Sequence, residues 1–219
     1  MEMFLVPAIV LILCGVSFYL MLVDYRDQES KGNLIDMSIR MMLVYSTIMI
    51  AVTIGIAVFF AVHQTNLDLF TKLKRLMLLC VIWPLAYIDY KTYRIPNRFI
   101  LFGLGCRVIL IPFEFMFNSY FRVDIVSELV AAAALFLAAL LCTICLHGSI
   151  GAGDMKLFVV MGLLLGLEAI WGAIFLSLLI SFVIAAYFLI TKKKSKKDLI
   201  PFGPAIVLGV YLSVCFMGG

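Results

Sequence analysis

Charged residues are scarce in this chain. They make up 14% of its 219 residues, whereas 65% of the residues are hydrophobic. Average soluble domains are about one quarter charged and about half apolar. A soluble domain of this length could not cover so much apolar surface with so few charges. The composition therefore excludes an ordinary soluble domain and indicates a chain whose solvent is a lipid bilayer.

The first apolar run, residues 3–23, lacks the marks of a cleaved signal peptide. Glu2 stands where a basic region would be, and the run is too long for the apolar core of such a peptide. No cleavage site with small residues follows, because the run ends in Met21-Leu22-Val23-Asp24. We therefore predict a retained membrane helix.

Metal-binding and nucleic-acid-binding motifs are also missing. Cys142 and Cys145 form a C-x-x-C pair, but the second pair of ligands that a zinc site needs is absent. We predict no metal and no cofactor, and we see no module that would bind nucleic acid. The six cysteines all lie in apolar runs, where they behave as small hydrophobic residues: Cys14, Cys80, Cys106, Cys142, Cys145 and Cys215. The sequence does not indicate an oligomeric state.

The long apolar runs predict an all-α, polytopic membrane protein. A spanning helix needs about 20 apolar residues, with about 17 as the lower limit. We predict about eight transmembrane helices, with seven as the alternative, because two segments are short. The shorter segment near 76–89 could begin near Leu69, with Lys72, Lys74 and Arg75 reaching the interface. The predicted segments lie near 3–23, 41–62, 76–89, 99–117, 126–146, 157–169, 171–191 and 203–218.

The distribution of Lys and Arg predicts an N-terminus outside the cell. This orientation places about three times as many basic residues on the inner side as on the outer side. We further predict two parts of the chain. Residues 1–72 hold two helices and a short cytoplasmic loop at 24–40, and residues 73–219 hold six helices. The basic run at 192–197 is predicted to anchor the membrane boundary, the alternative being a site for anionic lipid or a partner.

Two carboxylates stand out because each falls at the inner end of a predicted helix. An ionisable residue at such a place, Asp89 or Asp154, is costly and is a candidate for function. The alternative for each is an interfacial Asp paired with a nearby cation. Gly151 and Gly153 precede Asp154 and allow a tight, positive-φ backbone and a close approach of another chain. Pro96 predicts the end of the inner loop that follows Asp89.

A pair of aspartates can hydrolyse a peptide without a metal. When two carboxyl groups share a site, like-charge repulsion keeps one protonated while the other is ionised. The ionised group takes a proton from water, and the neutral group protonates the leaving group or polarises the carbonyl. Because such a pair titrates as a unit, neither residue is assigned a fixed role.

Three segments, in order along the chain, resemble the motifs of the type IV prepilin peptidase family, which are GxGD aspartic peptidases. The first is Asp89 followed by Ile95-Pro96-Asn97. The second is Gly151-Ala152-Gly153-Asp154-Met155-Lys156-Leu157. The third is Ile200-Pro201-Phe202-Gly203-Pro204-Ala205.

The resemblance implies an aspartic endopeptidase of the inner (cytoplasmic) membrane. Such enzymes remove the short basic leader of prepilins and pseudopilins at the cytoplasmic face. Asp89 and Asp154 match the catalytic pair, and Lys156 matches a basic residue that tunes the pair or positions the leader. The remaining matched residues are expected to support the site: Gly151, Gly153, Pro96, Asn97, Pro201, Gly203 and Pro204.

The chain differs from the larger family members, which carry an insert with two zinc-binding C-x-x-C pairs after the first helix. Residues 24–40 contain no Cys, so the chain resembles the short forms, including those of Flp/Tad pili. We therefore predict peptidase activity without N-methyltransferase activity. Alternatives are an archaeal preflagellin peptidase, a presenilin-like protease, a transporter or proton relay, and a non-catalytic subunit of a pilus system.

Two further polar residues stand within or beside apolar runs. Arg107 lies in the middle of the span near 99–117 and is predicted to pair with Glu114 or Glu168. His147 lies seven residues before Asp154, where it is either an ordinary interfacial residue or a group that tunes the pair.

Overall fold

The computed structural model describes residues 2–30, 39–63, 67–145, 151–191 and 201–216, and within them the chain is all-helical. Of these helices, α1, α2, α4, α5 and α6 are long and apolar enough to cross a membrane. The predicted all-α, polytopic membrane fold is therefore confirmed. The helices are α1 (Glu2–Ser30), α2 (Ile39–His63), α3 (Leu69–Thr92), α4 (Asn97–Phe117), α5 (Phe121–Cys145), α6 (Ala152–Ile190) and α7 (Gly203–Phe216).

Helix α3 is the centre of the molecule. Every side chain from Lys72 to Asp89 is buried, and α3 packs against α1, α2, α4, α6 and α7. The outer helices instead expose many large apolar side chains, as expected where lipid is the solvent. The candidate site therefore lies at one end of the most enclosed helix in the described structure.

Pro84 interrupts the backbone hydrogen bonding of α3. Its ring has no N–H to donate to the carbonyl of Cys80, one turn earlier. The hydroxyl of Ser17, on α1, donates to that carbonyl instead at 2.6 Å. The hydroxyl of Tyr45, on α2, donates to the carbonyl of Trp83 at 2.7 Å. The two N-terminal helices are thus hydrogen-bonded to α3 around its proline.

Helix α6 folds back on itself at Gly166. This residue has φ 66° and ψ −178°, a combination that is open essentially to glycine alone. Asp154 and Ser181 line the same cavity, although they would be about 40 Å apart in a continuous helix. Two arms, 152–165 and 167–190, therefore run in opposite directions. They correspond to the predicted segments 157–169 and 171–191.

Several predicted boundaries differ from the observed ones. Helix α1 continues to Ser30, so part of the predicted loop 24–40 is helical. Helix α3 begins at Leu69, the earlier of the two expected starts, and runs across the predicted boundary between 72 and 73. His147 and the basic run 192–197 lie outside the described residues.

Four buried charges join α3, α4 and α5. Lys74 Nζ lies 3.0 Å from Glu114 Oε1 and 2.7 Å from Glu128 Oε1. Arg107 lies 2.6 Å from a Glu114 oxygen and 2.5 Å from a Glu128 oxygen. All four side chains are at most 6% exposed. We call these residues the four-charge cluster.

The four-charge cluster confirms one prediction and corrects another. Arg107 does pair with Glu114, but its second partner is Glu128, while Glu168 interacts with Arg75. Lys74 was expected to extend to the membrane interface, but two carboxylates hold its ammonium group inside the protein. Lys72 and Arg75 are also buried. Burial among opposite charges avoids the cost of placing an unpaired cation in an apolar region.

Candidate active site

The structure brings the two predicted carboxylates together. Asp89 lies in the last turn of α3 and Asp154 in the first turn of α6. Both line the same two cavities, and they are close enough to interact electrostatically. Asp89 is 6% exposed, so its carboxyl group lies within the protein next to the cavities. The arrangement places two acidic groups and room for water at one point.

The chain turns sharply after Asp89. Tyr93 adopts a left-handed conformation (φ 52°, ψ 37°), and its N–H donates to the carbonyl of Asp89 at 2.8 Å. This ends α3 with the kind of αL cap that glycine usually provides. Pro96 then precedes the first residue of α4, as its position in the sequence predicted. Tyr93 lines both cavities, which the motif analysis did not anticipate.

The GxGD glycines do not adopt the positive φ that glycine allows. Gly151 has φ −68° and is the N-cap of α6, and Gly153 lies within the first helical turn. The expected close approach is observed. A Cβ placed on Gly153 would lie 2.9 Å from the Cβ of Ile95, a distance that side chains essentially never adopt. Gly153 therefore lets the start of α6 lie directly against the loop between α3 and α4.

A hydrogen bond joins the first two motifs. Lys156 Nζ donates to Asn97 Oδ1 at 3.0 Å, from the first turns of α6 to the first turn of α4. The resemblance suggested that Lys156 tunes the carboxyl pair or positions a leader. The contact places its ammonium group on the I-P-N motif, so that it holds the starts of two helices together.

The third motif lies against Asp89. The N–H of Gly203 donates to Asp89 Oδ2 at 2.7 Å, and a Cβ on Gly203 would lie only 2.8 Å from the Cβ of Asp89. Pro201 and Phe202 line one cavity with the aspartates. Pro204 is in the first turn of α7. Backbone N–H groups in a first turn have no acceptor within the helix, so a proline there removes no hydrogen bond. This segment therefore positions one of the two carboxyls.

Two cavities of different character meet at the aspartates. The first, about 570 Å³, is mostly apolar and lies among α5, both arms of α6 and the segment before α7. The second, about 560 Å³, is mostly polar and lies among the end of α1, the α3–α4 loop and the start of α6. Both volumes are typical of ligand sites. The residues that line both cavities are Asp89, Tyr93, Gly151 and Asp154.

The chemistry available at this junction is that of a carboxyl pair. Among the described residues, no group of three or more His, Cys, Asp or Glu side chains could hold a metal ion. Sequence reasoning missed Asp24 and Gln28 of α1, which line the polar cavity. The sequence marks these two residues only by their position, shortly after the first apolar run.

Comparison with known proteins agrees with this geometry. Residues 76–190 match the type IV leader peptidase family. The chain belongs to this family. It is also 30% identical, over 154 residues, to the prepilin leader peptidase/N-methyltransferase of Bacillus subtilis (strain 168), which covers 69% of this chain and 57% of that protein. The chain thus spans somewhat more than half the length of that relative. No solved structure matches the chain.

The matched range includes both aspartates but not the whole site. It begins inside α3 and ends at the last residue of α6. Gly203, which donates to Asp89, and Asp24, which lines the polar cavity, both lie outside it. The predicted family is confirmed, while the role of each residue still rests on the geometry.

Proposed function

We propose that this protein is a membrane aspartic endopeptidase that removes the N-terminal leader of type IV prepilins or pseudopilins. One observation carries the proposal. The two aspartates lie where a polar cavity meets an apolar cavity. A substrate that fits this site has a polar segment followed by an apolar one, with the scissile bond between them. The family supports a prepilin as that substrate.

The proposed reaction uses Asp89 and Asp154 as a unit. Like-charge repulsion keeps one carboxyl protonated and leaves the other ionised. The ionised carboxyl takes a proton from water as the water oxygen attacks the scissile carbonyl. The protonated carboxyl donates its proton as the C–N bond breaks, so the pair ends with one proton, as it began. Gly203 holds one Asp89 oxygen in place during these steps.

The proposed location is the cytoplasmic membrane, with the N-terminus outside and the active site near the cytoplasmic face. The excess of Lys and Arg on the predicted inner side supports this orientation. We further propose that the enzyme serves a short-form system such as Flp/Tad pili and has no N-methyltransferase activity. The absence of Cys from residues 24–40 supports the latter point.

Cleavage of a prepilin by the purified protein in detergent tests the proposal. The wild-type protein should release the leader, and Asp89→Asn and Asp154→Asn should each lower kcat by at least about 100-fold, as expected for groups that transfer protons. Asp27→Asn is the matched control, since Asp27 forms an exposed ion pair with Arg98 and lines neither cavity. Normal cleavage by either of the first two variants would refute the proposed pair.

A further inference from the structure

The apolar cavity contains a hydroxyl group that the fold does not use. Ser181, on the second arm of α6, lines this cavity with both aspartates and forms no hydrogen bond with a described residue. A hydroxyl within an apolar helix commonly donates to the carbonyl one turn earlier, and Ser177 does so at 2.7 Å. Six other side chains in the described helices do the same: Ser46, Thr47, Thr53, Thr92, Thr143 and Thr191. The hydroxyl of Ser181 is therefore available to a bound molecule.

Ser181 lies at about the depth of the aspartate pair. Asp154 is twelve residues before the fold-back at Gly166, and Ser181 is fifteen residues after it. At 1.5 Å per residue, these separations along the two arms are about 18 Å and about 22 Å. One turn before Ser181, Ser177 also donates to the carbonyl of Ile206, in the first turn of α7, at 3.4 Å. This contact places Ser181 near the end of α7 that carries the third motif.

A peptide bound as proposed brings unpaired N–H groups to this depth. Its scissile bond lies between a polar and an apolar segment, so a helix formed by the apolar segment starts just after the aspartates. The first four N–H groups of a helix have no acceptor within it, and leaving them unpaired in an apolar cavity is costly. A serine oxygen is among the best acceptors for such a group. Ser127 Oγ already accepts the N–H of Leu167 in this way, where the second arm of α6 begins.

We infer that the hydroxyl of Ser181 accepts a backbone N–H from the first turn of the substrate's apolar helix and so fixes the scissile bond relative to the aspartate pair. This inference rests on the proposed peptidase function. The other neutral polar side chains among the described lining residues are less suited. Tyr93 lies at the junction with the polar cavity, and the thiol of Cys142 is a weak acceptor. Ser181 binds substrate and transfers no proton.

Synthetic prepilin peptides in which an ester replaces one amide test this contact, because an ester lacks the N–H. The ester is placed in turn at each of the first four bonds after the scissile bond, and mass spectrometry measures the leader that is released. For the wild-type protein in detergent, we expect one ester position to lower kcat/KM about tenfold relative to the all-amide peptide. Ser181→Ala should lower kcat/KM for the all-amide peptide by about the same factor. The ester at that position should then have no further effect, since the two changes remove the same bond.

Thr47→Val is the matched control, because it also removes a hydroxyl from an apolar helix but lies in neither cavity lining. It should keep the wild-type rate and the wild-type response to each ester. The inference is overturned if no ester slows the wild-type protein, or if Ser181→Ala cleaves the all-amide peptide at the wild-type rate. It is also overturned if each ester slows both proteins by the same factor, which would show that Ser181 only packs α6. Failure of the peptidase function is distinct, because the wild-type protein would then leave the all-amide peptide uncut.

Discussion

The backbone N–H of Gly203 donates a hydrogen bond to Oδ2 of Asp89 at 2.7 Å, across 114 positions of sequence. The contact explains why glycine stands at this point. A Cβ on residue 203 would lie 2.8 Å from Cβ and 2.9 Å from Oδ2 of Asp89. Any larger residue must push α7 away from the carboxyl group and lengthen the bond.

Gly203→Ala should therefore lower kcat/KM for prepilin cleavage by at least about tenfold, the effect of losing one hydrogen bond to a charged group. Steady-state cleavage assays in detergent would measure it. Gly105→Ala is the matched control, since no atom lies within 4 Å of a Cβ added there. Equal activity of the two variants would mean that this contact does not position Asp89.

Lys156 and Asn97 should contribute to activity jointly, through the hydrogen bond between them. Lys156→Met and Asn97→Ala should each lower activity, because each releases the start of α6 from the start of α4. The double variant should be little worse than either single variant, since residues in direct contact couple. A double-mutant cycle on kcat/KM would measure the coupling. Purely additive losses would show that the two residues act separately.

The turn within α6 should depend on Gly166. Its φ of 66° with ψ −178° is unfavourable for any residue with a Cβ, at a cost of about 1–3 kcal/mol. A Cβ would also lie 3.2 Å from Ser127 Oγ, which accepts the N–H of Leu167 at 3.0 Å. Gly166→Ala should lower the midpoint of heat denaturation in detergent, whereas Gly15→Ala, with open space around it, should not. Equal midpoints would contradict the fold-back at this residue.

Motif-level reasoning located the aspartates because their signals are local. Asp154 directly follows Gly151-Ala152-Gly153, and Asp89 lies seven residues before Pro96, which ends the loop after its helix. The fold-back of α6 could not be derived in the same way. A single glycine, Gly166, within a long apolar run does not show whether a helix bends, continues or reverses. The turn also involves Ser127 of α5, whose hydroxyl accepts the N–H of Leu167 across 40 positions.

The polar contacts inside the bundle were hidden for the same reason. Lys74 looked like an interfacial residue, because nothing in its own segment neutralises it. Its partner Glu128 is 54 positions away on another helix. Asp24 likewise gave no signal beyond its position after an apolar run, because its place in the polar cavity depends on how α1 packs. Long-range packing decides these contacts, and spacing within one segment cannot predict them.

Removing one member of the four-charge cluster should lower the stability of the protein substantially. Glu128 bonds both Lys74 and Arg107, so Glu128→Gln would leave excess positive charge buried. Breaking such a pair typically costs about 3–5 kcal/mol. The midpoint of heat denaturation should fall much further than for Asp27→Asn, whose exposed pair is worth at most about 1 kcal/mol. Similar midpoints for the two variants would exclude a stabilising role.

The packing of α1 against α3 can be tested through Cys14 and Cys80. Their sulfur atoms lie 3.6 Å apart in the interior, and a disulfide needs a separation of about 2.05 Å. A small movement of either helix therefore suffices to join them. We expect copper phenanthroline to form this disulfide in a variant that keeps these two cysteines and has Ser at the other four.

Mass spectrometry after alkylation would detect the disulfide as the loss of both thiols, with recovery on reduction. The same variant carrying Cys14→Ser should retain one alkylatable thiol under all conditions. Two reactive thiols after oxidation would show that α1 does not lie against the middle of α3. Because Asp24 lies ten residues beyond Cys14 on the same helix, that result would also remove Asp24 from the wall of the polar cavity. The disulfide thus tests the position of α1 beside the polar cavity.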